Sequence, residues 1–215
     1  MPLNIASHNN EKPSGDIRQR NEKIIIAAAE QEFASFGFKG ASMREIARRA
    51  DLPKANIHYY FKNKLGLYLA VLSDIIELWD STLSRLTPDD DPAEGLQTYI
   101  CQKIEFSRKY PLASRIFASE IISGGPNLEG YFDEGYVEWF NSRLEVIREW
   151  QKRGKMDKEI VPEHLIFMLW SSTQHYADFS FQIRSAMNKT DLTQVEFDAA
   201  ADTLSHVILK GCGLK

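Results

Sequence analysis

Apolar residues recur along this chain at intervals of three and four, the period of helices that lie against a core. The spacing predicts a helix over residues 21–37, with Ile25, Ala28, Ala29, Phe33 and Phe36 on its inner side and Gly37 suited to its C-terminal cap. A second helix begins at Ser42, which with Glu45 reads as a capping box, and places Met43, Ile46, Ala47 and Ala50 on one face. Leu52 and Pro53 end it, because proline lacks a donor and restricts the residue before it, and Pro53 is placed to open a third helix over 54–61. The strongest amphipathic run follows: Leu65, Tyr68, Leu69, Leu72, Ile75, Ile76, Trp79, Leu83 and Leu86 span 22 residues. At 1.5 Å per residue that helix is about 33 Å long. Breaks at residues 87–92, at Tyr110-Pro111, at residues 123–126 and at Arg153-Gly154 separate helices over 93–109, 112–122, 127–152, 162–184 and 193–211. The last is fixed by a capping box, Thr193 with Glu196. No alternating segment bounded by hairpin turns competes with this reading, so the expected fold is all-α, with about nine helices.

The polar positions carry the functional signal. Helices 42–50 and 54–61, joined by a short turn, read as a helix-turn-helix. The second presents Lys54, Asn56, His58, Tyr59 and Tyr60 where a solvated face would carry Glu and Lys, while Ile57 and Phe61 dock it. Amide, imidazole and phenol groups bond base edges and phosphates. Ser42 and Arg44 from the preceding helix and Lys64 at the next helix start complete the expected DNA contacts, since cations beside free backbone N–H groups suit a phosphate. The whole chain carries net charge −4, but residues 16–65 hold ten Lys/Arg and six Asp/Glu, about +4, leaving −8 elsewhere. A basic end on an acidic body presents one face to a polyanion. Residues 1–15 are polar and punctuated by Pro and Gly, which predicts a flexible arm. Arg18, Arg20 and Lys23 fit either a phosphate-reaching arm or an ordinary helix start.

The run from Asn21 to Ala70 resembles the DNA-binding domain of the TetR family of transcriptional regulators. Gly37-Phe38, Ile46-Ala47, Ile57-His58-Tyr59-Tyr60-Phe61 and Asn63-Lys64 match that family's pattern in order and spacing. The resemblance implies an all-helical homodimer on double-stranded operator DNA, with a helix-turn-helix domain over residues 16–64 and a ligand-binding and dimerisation domain over 65–215. It also implies that helix 65–86 joins the two and carries the ligand signal, and that helices near 162–184 and 193–211 pack across the dimer axis.

Leu165 to Phe181 is apolar around most of its circumference yet carries Gln174, His175, Tyr176 and Asp178. A helix apolar all round is buried on more than one side, and polar groups there need partners. Trp170, Gln174 and Asp178 follow one stripe, and an amide beside an indole suits a small planar heterocycle. Hydrogen bonding within the core is the competing reading of the same stripe. The wording of 164–179, with Leu67-Tyr68, Ala70-Val71-Leu72 and Trp79, resembles the pyrimidine-utilisation subgroup of the family, whose members answer to uracil or thymine. That resemblance implies Trp79, Trp170 and Gln174 as ligand contacts, with His175, Tyr176 and Asp178 beside them and residues 115–128 closing the pocket. A different small ligand on the same scaffold, or a ligand-independent DNA-organising protein, remains open.

Other functions lack support. The five His have no metal-site spacing, Gly124 and Gly125 follow no strand and precede no Lys-Ser/Thr, and no nucleophile–base pair or cofactor motif is visible; neither a metal, a cofactor nor catalysis is expected. No run approaches the ~18 apolar residues of a membrane span and no signal-peptide core opens the chain, which predicts a cytoplasmic protein. Cys101 and Cys212, each within a helical pattern, are expected as reduced thiols.

Overall fold

The computed structural model describes residues 15–214, so the arm expected over residues 1–15 lies, but for Gly15, outside them. The described residues form ten α-helices and no strand. They group into two compact units: one holds Leu78–Ser114 and the chain from Phe132 onward, the other the described chain up to Glu77 together with Arg115–Tyr131.

The N-terminal unit starts with α1 (Gly15–Gly40), which is continuous through Arg18, Arg20 and Lys23; Arg18 pairs with Glu22 one turn on, at 3.2 Å. Ile25, Ala28, Ala29 and Phe33 are buried as expected, but Phe36 is 57% exposed. The cause is Gly37, whose φ of 65° and ψ of 177° interrupt the helix. Beyond that kink Phe38 takes the inner place, its ring 6.4 Å from Phe33 and 4.9 Å from Tyr68. Next, α2 (Met43–Arg49) and α3 (Lys54–Phe61) bury Ile46, Ala47 and Ile57. The chain turns between them at Asp51, whose φ of 51° is a left-handed conformation that Asp tolerates better than most residues.

Half of the capping box expected at Ser42 is replaced. Ser42 Oγ accepts from the Glu45 backbone N–H at 3.5 Å, but Ser42's own N–H donates to the buried Glu32 carboxylate of α1 at 3.1 Å. Glu45 turns instead to Arg48, at 2.5 Å. Arg49 also reaches Glu32, at 3.3 Å, so one carboxylate fastens α1 to both ends of α2.

Between α3 and α4 (Lys64–Ser84) Lys62 adopts φ 59°, ψ −56°, and the Asn63 N–H donates to the Phe61 carbonyl at 2.6 Å, a strained γ-turn. Asn63 Oδ1 then caps α4 by accepting from the Gly66 N–H at 2.8 Å. A Cβ on Gly66 would lie 2.4 Å from the Phe61 carbonyl oxygen, so this tight junction requires glycine.

Helix α4 contributes residues to both units, as does α6 (Pro111–Ile122). The C-terminal unit is built around α5 (Pro92–Lys109), which packs against α8 (Pro162–Asp178) and α10 (Gln194–Gly211); α7 (Glu134–Lys152) packs on α8. Leu96, Tyr99, Ile100, Ile104, Trp150, Leu165, Leu169 and Phe197 form its core. Two differences from the expected helices have local causes. The helix expected over 127–152 begins at Glu134, where Asp133 Oδ1 accepts from the Tyr136 N–H at 3.2 Å, and residues 125–131 form turns. The helix expected over 162–184 breaks at Phe179 (φ −113°, ψ 27°), which starts a short α9 (Ser180–Ala186) and accounts for the tenth helix. The capping box of Thr193 and Glu196 is present.

Candidate DNA-binding and effector sites

Ile57 is fully buried beneath α3, which leaves Lys54, Ala55, His58 and Tyr59 facing outward and Asn56 half-buried. Tyr59 is 75% exposed, its ring touching only Tyr60 among the described rings, edge-on at 5.3 Å. Tyr60 is more committed: it is half-buried and its hydroxyl accepts from the Asn21 side-chain amide at 3.1 Å. His58 Nδ1 lies 3.0 Å from the Lys62 carbonyl, which can only accept, so Nδ1 carries the hydrogen and a neutral ring presents Nε2 outward as an acceptor. Ser42 and Arg44 are exposed at the start of α2. Lys64 folds back onto the end of α1, donating to the Lys39 carbonyl at 3.1 Å with its ammonium 5.0 Å from the centre of the Phe38 ring. Of the eight expected contacts, then, Ser42, Arg44, Lys54, His58 and Tyr59 stand exposed, while Asn56, Tyr60 and Lys64 are half-buried.

The second expected site divides. Trp79, Trp170, Gln174 and Asp178 are half-buried in the C-terminal unit. His175 is exposed, stacked on Phe179 at 4.8 Å, and Tyr176 packs toward Phe197 of α10 at 6.1 Å, so neither joins the Trp170–Gln174–Asp178 stripe. Opposite that stripe α5 supplies groups the sequence reading missed. Lys103 is 1% exposed, its ammonium 3.9 Å from the centre of the Trp79 ring. Burial pushes its pKa well below the ordinary lysine value, and the carboxylates of Asp178 and Asp80 pull it back up. Asp178 also accepts from the buried Ser114 hydroxyl at 2.6 Å. One turn before Lys103, the Tyr99 hydroxyl is buried without a hydrogen-bond partner, and burial pushes its pKa up. Trp170 itself lies 5.8 Å from both Phe140 and Phe167. The Gln174 amide, between Trp170 and Asp178, makes no hydrogen bond to another described residue.

The signal for Lys103 was present: it falls on the apolar stripe of α5, i+4 from Tyr99 and i+3 from Ile100, where a lysine has no solvent to reach. Together α4, α5 and α8 bring an ammonium, two carboxylates, an unpaired amide and two indoles into one part of the helical body. Such a set offers stacking surface and hydrogen bonds in both directions, the chemistry that suits a small, flat, polar molecule. The segment expected to close this site, Arg115–Leu128, groups with the N-terminal unit. Among the described residues no cluster of His, Cys, Asp and Glu could hold a metal ion, and no helix is long and apolar enough to cross a membrane.

A helix-turn-helix with a polar aromatic recognition helix, joined to a helical body containing a buried polar cluster, defines a class that comparison makes explicit. Residues 25–71 match the model of bacterial regulatory proteins of the tetR family, and residues 72–215 that of the YcdC-like protein C-terminal region. The chain belongs to the TetR family of ligand-responsive, DNA-binding transcriptional regulators, which are not enzymes. Among its relatives is the HTH-type transcriptional regulator RutR of Escherichia coli K12, 37% identical over 190 residues covering 88% of this chain and 89% of RutR. The HTH-type transcriptional repressor SCO4008 of Streptomyces coelicolor is 28% identical over 145 residues, 67% of this chain and 72% of its own. In fold, the chain is similar to the fatty acid degradation regulator FadR from Bacillus halodurans, with a TM-score of 0.62 at 16% identity over 94% of this chain and 98% of that one. A TetR-like regulator from Rhodococcus sp. RHA1 gives a TM-score of 0.61 at 18% identity, again covering 94% and 98%.

Proposed function

We propose that the protein is a cytoplasmic homodimer that binds a near-palindromic operator and is released from it by a pyrimidine imide, uracil or thymine. The observation that carries the effector assignment is the unpaired Gln174 amide on the α8 stripe of Trp170 and Asp178, opposite the buried Lys103. The uracil ring alternates two C=O and two N–H groups; the Gln174 amide complements one such pair, the Lys103 ammonium donates to the other carbonyl, and the carboxylate of Asp178 accepts the remaining N–H. The Trp79 and Trp170 rings supply the stacking surface.

The division of labour proposed is DNA binding by residues 16–64 and effector binding with dimerisation by 65–215. Exposed apolar side chains on α8, α9 and α10 support a dimer face there: Phe167, Met168, Phe179, Phe181, Val195 and Val207. Two recognition helices related by a two-fold axis would read successive major grooves about 34–36 Å apart. Tyr68 and Trp79 lie on the same α4, about 16 Å apart along its axis, so a ligand that shifts Trp79 moves the helix on which the N-terminal unit is built. Release requires only that effector bind the DNA-free conformation better; a coupling of about 1–3 kcal/mol changes operator affinity about 5- to 150-fold.

Calorimetric titration of the full chain with uracil, thymine and cytosine tests the effector assignment. Uracil and thymine should bind, cytosine should not, and Gln174→Leu should lose at least about tenfold in uracil affinity, because a site built around polar groups leaves them unpaired when one is removed. Equal binding of all three, or none, would overturn the pyrimidine reading.

A further inference from the structure

A cavity lies within the N-terminal unit, away from the groups just described. It is a cleft of about 350 Å³ whose lining includes Phe36 and Phe38 of α1, Tyr68 of α4, and Glu120, Ser123 and Asn127 at the end of α6 and the turn after it. That volume falls in the range of small-molecule sites.

The cleft is built around a buried carboxylate. Glu120 is 4% exposed and accepts from the Tyr68 hydroxyl at 2.9 Å, the Asn127 backbone N–H at 2.6 Å and the Asn127 side-chain amide at 3.1 Å. The turn that returns Asn127 to Glu120 passes through Gly124 (φ 90°) and Gly125 (φ 67°), conformations glycine adopts without strain. All three donors are neutral, and no cationic side chain pairs with Glu120 among the described residues. Burying a carboxylate with no counter-charge is expensive.

Further features of the cleft suit a cation. Two helices, α1 and α6, end beside it, and helix C-termini carry partial negative charge. Phe36 is 57% exposed on its wall. Phe38 already holds a cation on one face of its ring, the Lys64 ammonium at 5.0 Å. Lys39, on the rim, is exposed and free to remain in solvent.

We propose that this cleft is a ligand site for a small organic ammonium with an aromatic or apolar body. The ammonium donates to the remaining lone pair of Glu120, and the body lies against Phe36 and Phe38. Because its walls come from α1, α4 and α6, such a ligand touches the DNA-binding unit directly and acts independently of the effector site around Lys103.

The test is titration of the full chain with benzylammonium, using benzyl alcohol and benzoate as neutral and anionic isosteres, by calorimetry and ligand-observed NMR. Benzylammonium should bind saturably, the two isosteres at least about tenfold more weakly, as expected when a charge-assisted hydrogen bond and a cation–π contact are lost. Glu120→Gln removes the charge and keeps one acceptor oxygen for the Tyr68 hydroxyl and the Asn127 side-chain amide, at the cost of setting its NH2 against the Asn127 backbone N–H; it should weaken benzylammonium by a similar factor with the helical circular dichroism spectrum retained. Should that variant fail to fold, Phe36→Ala removes a largely exposed wall residue and should weaken binding several-fold. No benzylammonium binding up to about 10 mM, above the millimolar range that ~4 kcal/mol supplies, equal binding of the isosteres, or affinity unchanged in both variants would overturn the proposal.

Discussion

Tyr59 offers the sharpest separation of DNA contact from folding. It is 75% exposed and its ring touches Tyr60 edge-on, so Tyr59→Ala removes almost no buried surface. The expected stability change is within about 0.5 kcal/mol, the range of surface substitutions. On DNA the same phenol, projecting from the recognition helix, is expected to bond a phosphate or base edge worth about 1–2 kcal/mol in each half-site. Across two half-sites that is about 2–4 kcal/mol, or about 30- to 900-fold in operator affinity. Fluorescence anisotropy on an operator fragment selected from genomic DNA reads this directly, and a melting curve reads the other half. Because the phenol is neutral, the slope of affinity against salt should stay as it is, whereas Lys54→Ala should lower that slope by about 0.9 per half-site. Operator affinity unchanged within a factor of about three, less than 1 kcal/mol, in a dimer that still binds DNA would refute the assignment of Tyr59 to the interface.

Three further outcomes follow from the geometry. Ser114→Ala deletes the 2.6 Å bond to Asp178 in a buried setting and should cost about 1.5–3 kcal/mol; for a chain of this size, that lowers Tm by about 3–12 °C in calorimetry, and an unchanged Tm would show that Asp178 does not depend on it. Gly66→Ala forces a Cβ to 2.4 Å from the Phe61 carbonyl oxygen, so the α3–α4 junction must open. The loss expected is at least about 2 kcal/mol, together with operator binding, and a variant that binds DNA with a wild-type melt would contradict the junction described. Acid titration supplies the third. The Arg108 guanidinium holds the Glu105 carboxyl down at about 2, and the Lys189 ammonium with Thr193 does the same to Glu196, also to about 2. Both folded pKa values lie below the unfolded value of about 4.3, so the unfolded chain binds more protons in between. The stability these pairs contribute is complete above about pH 5 and drains away as pH falls toward 2; Glu105→Gln with Glu196→Gln should flatten that part of the Tm–pH curve, and an unaltered curve would count against both pairs.

Much of the architecture could be read from residue spacing, because strong amphipathic periods and breakers such as Pro53, Pro92 and Pro111 are local features. The element boundaries that escaped the reading have subtler causes. Phe179 ends α8 with neither Gly nor Pro to announce it, and Asp133 caps α7 after a stretch of turns whose apolar residues Leu128 and Tyr131 mimic helix periodicity. Gly37 was legible as a helix end, but not its effect of turning Phe36 outward and Phe38 inward, which depends on a partner, Tyr68, 30 residues away.

The candidate sites were legible in proportion to how local they are. The helix-turn-helix residues sit within one short run, and the exposed ones could be named from pattern. What tertiary packing does to them could not: Lys64 is bent onto Lys39, and Ser42 finds Glu32 rather than Glu45. The polar cluster of the C-terminal unit draws on α4, α5, α6 and α8, and only its α8 stripe was conspicuous as polar residues in an apolar segment. Lys103 and Glu120 were not singled out from the sequence, and their burial identifies them. A charged residue in register with an apolar stripe is the sequence signal that both share with Glu32.

The central claim is that a pyrimidine controls DNA binding, and the most direct measurement is operator affinity by fluorescence anisotropy with saturating uracil, thymine or cytosine present. Uracil and thymine should weaken binding about 5- to 150-fold while cytosine leaves it unchanged. Operator affinity indifferent to all three would contradict the account.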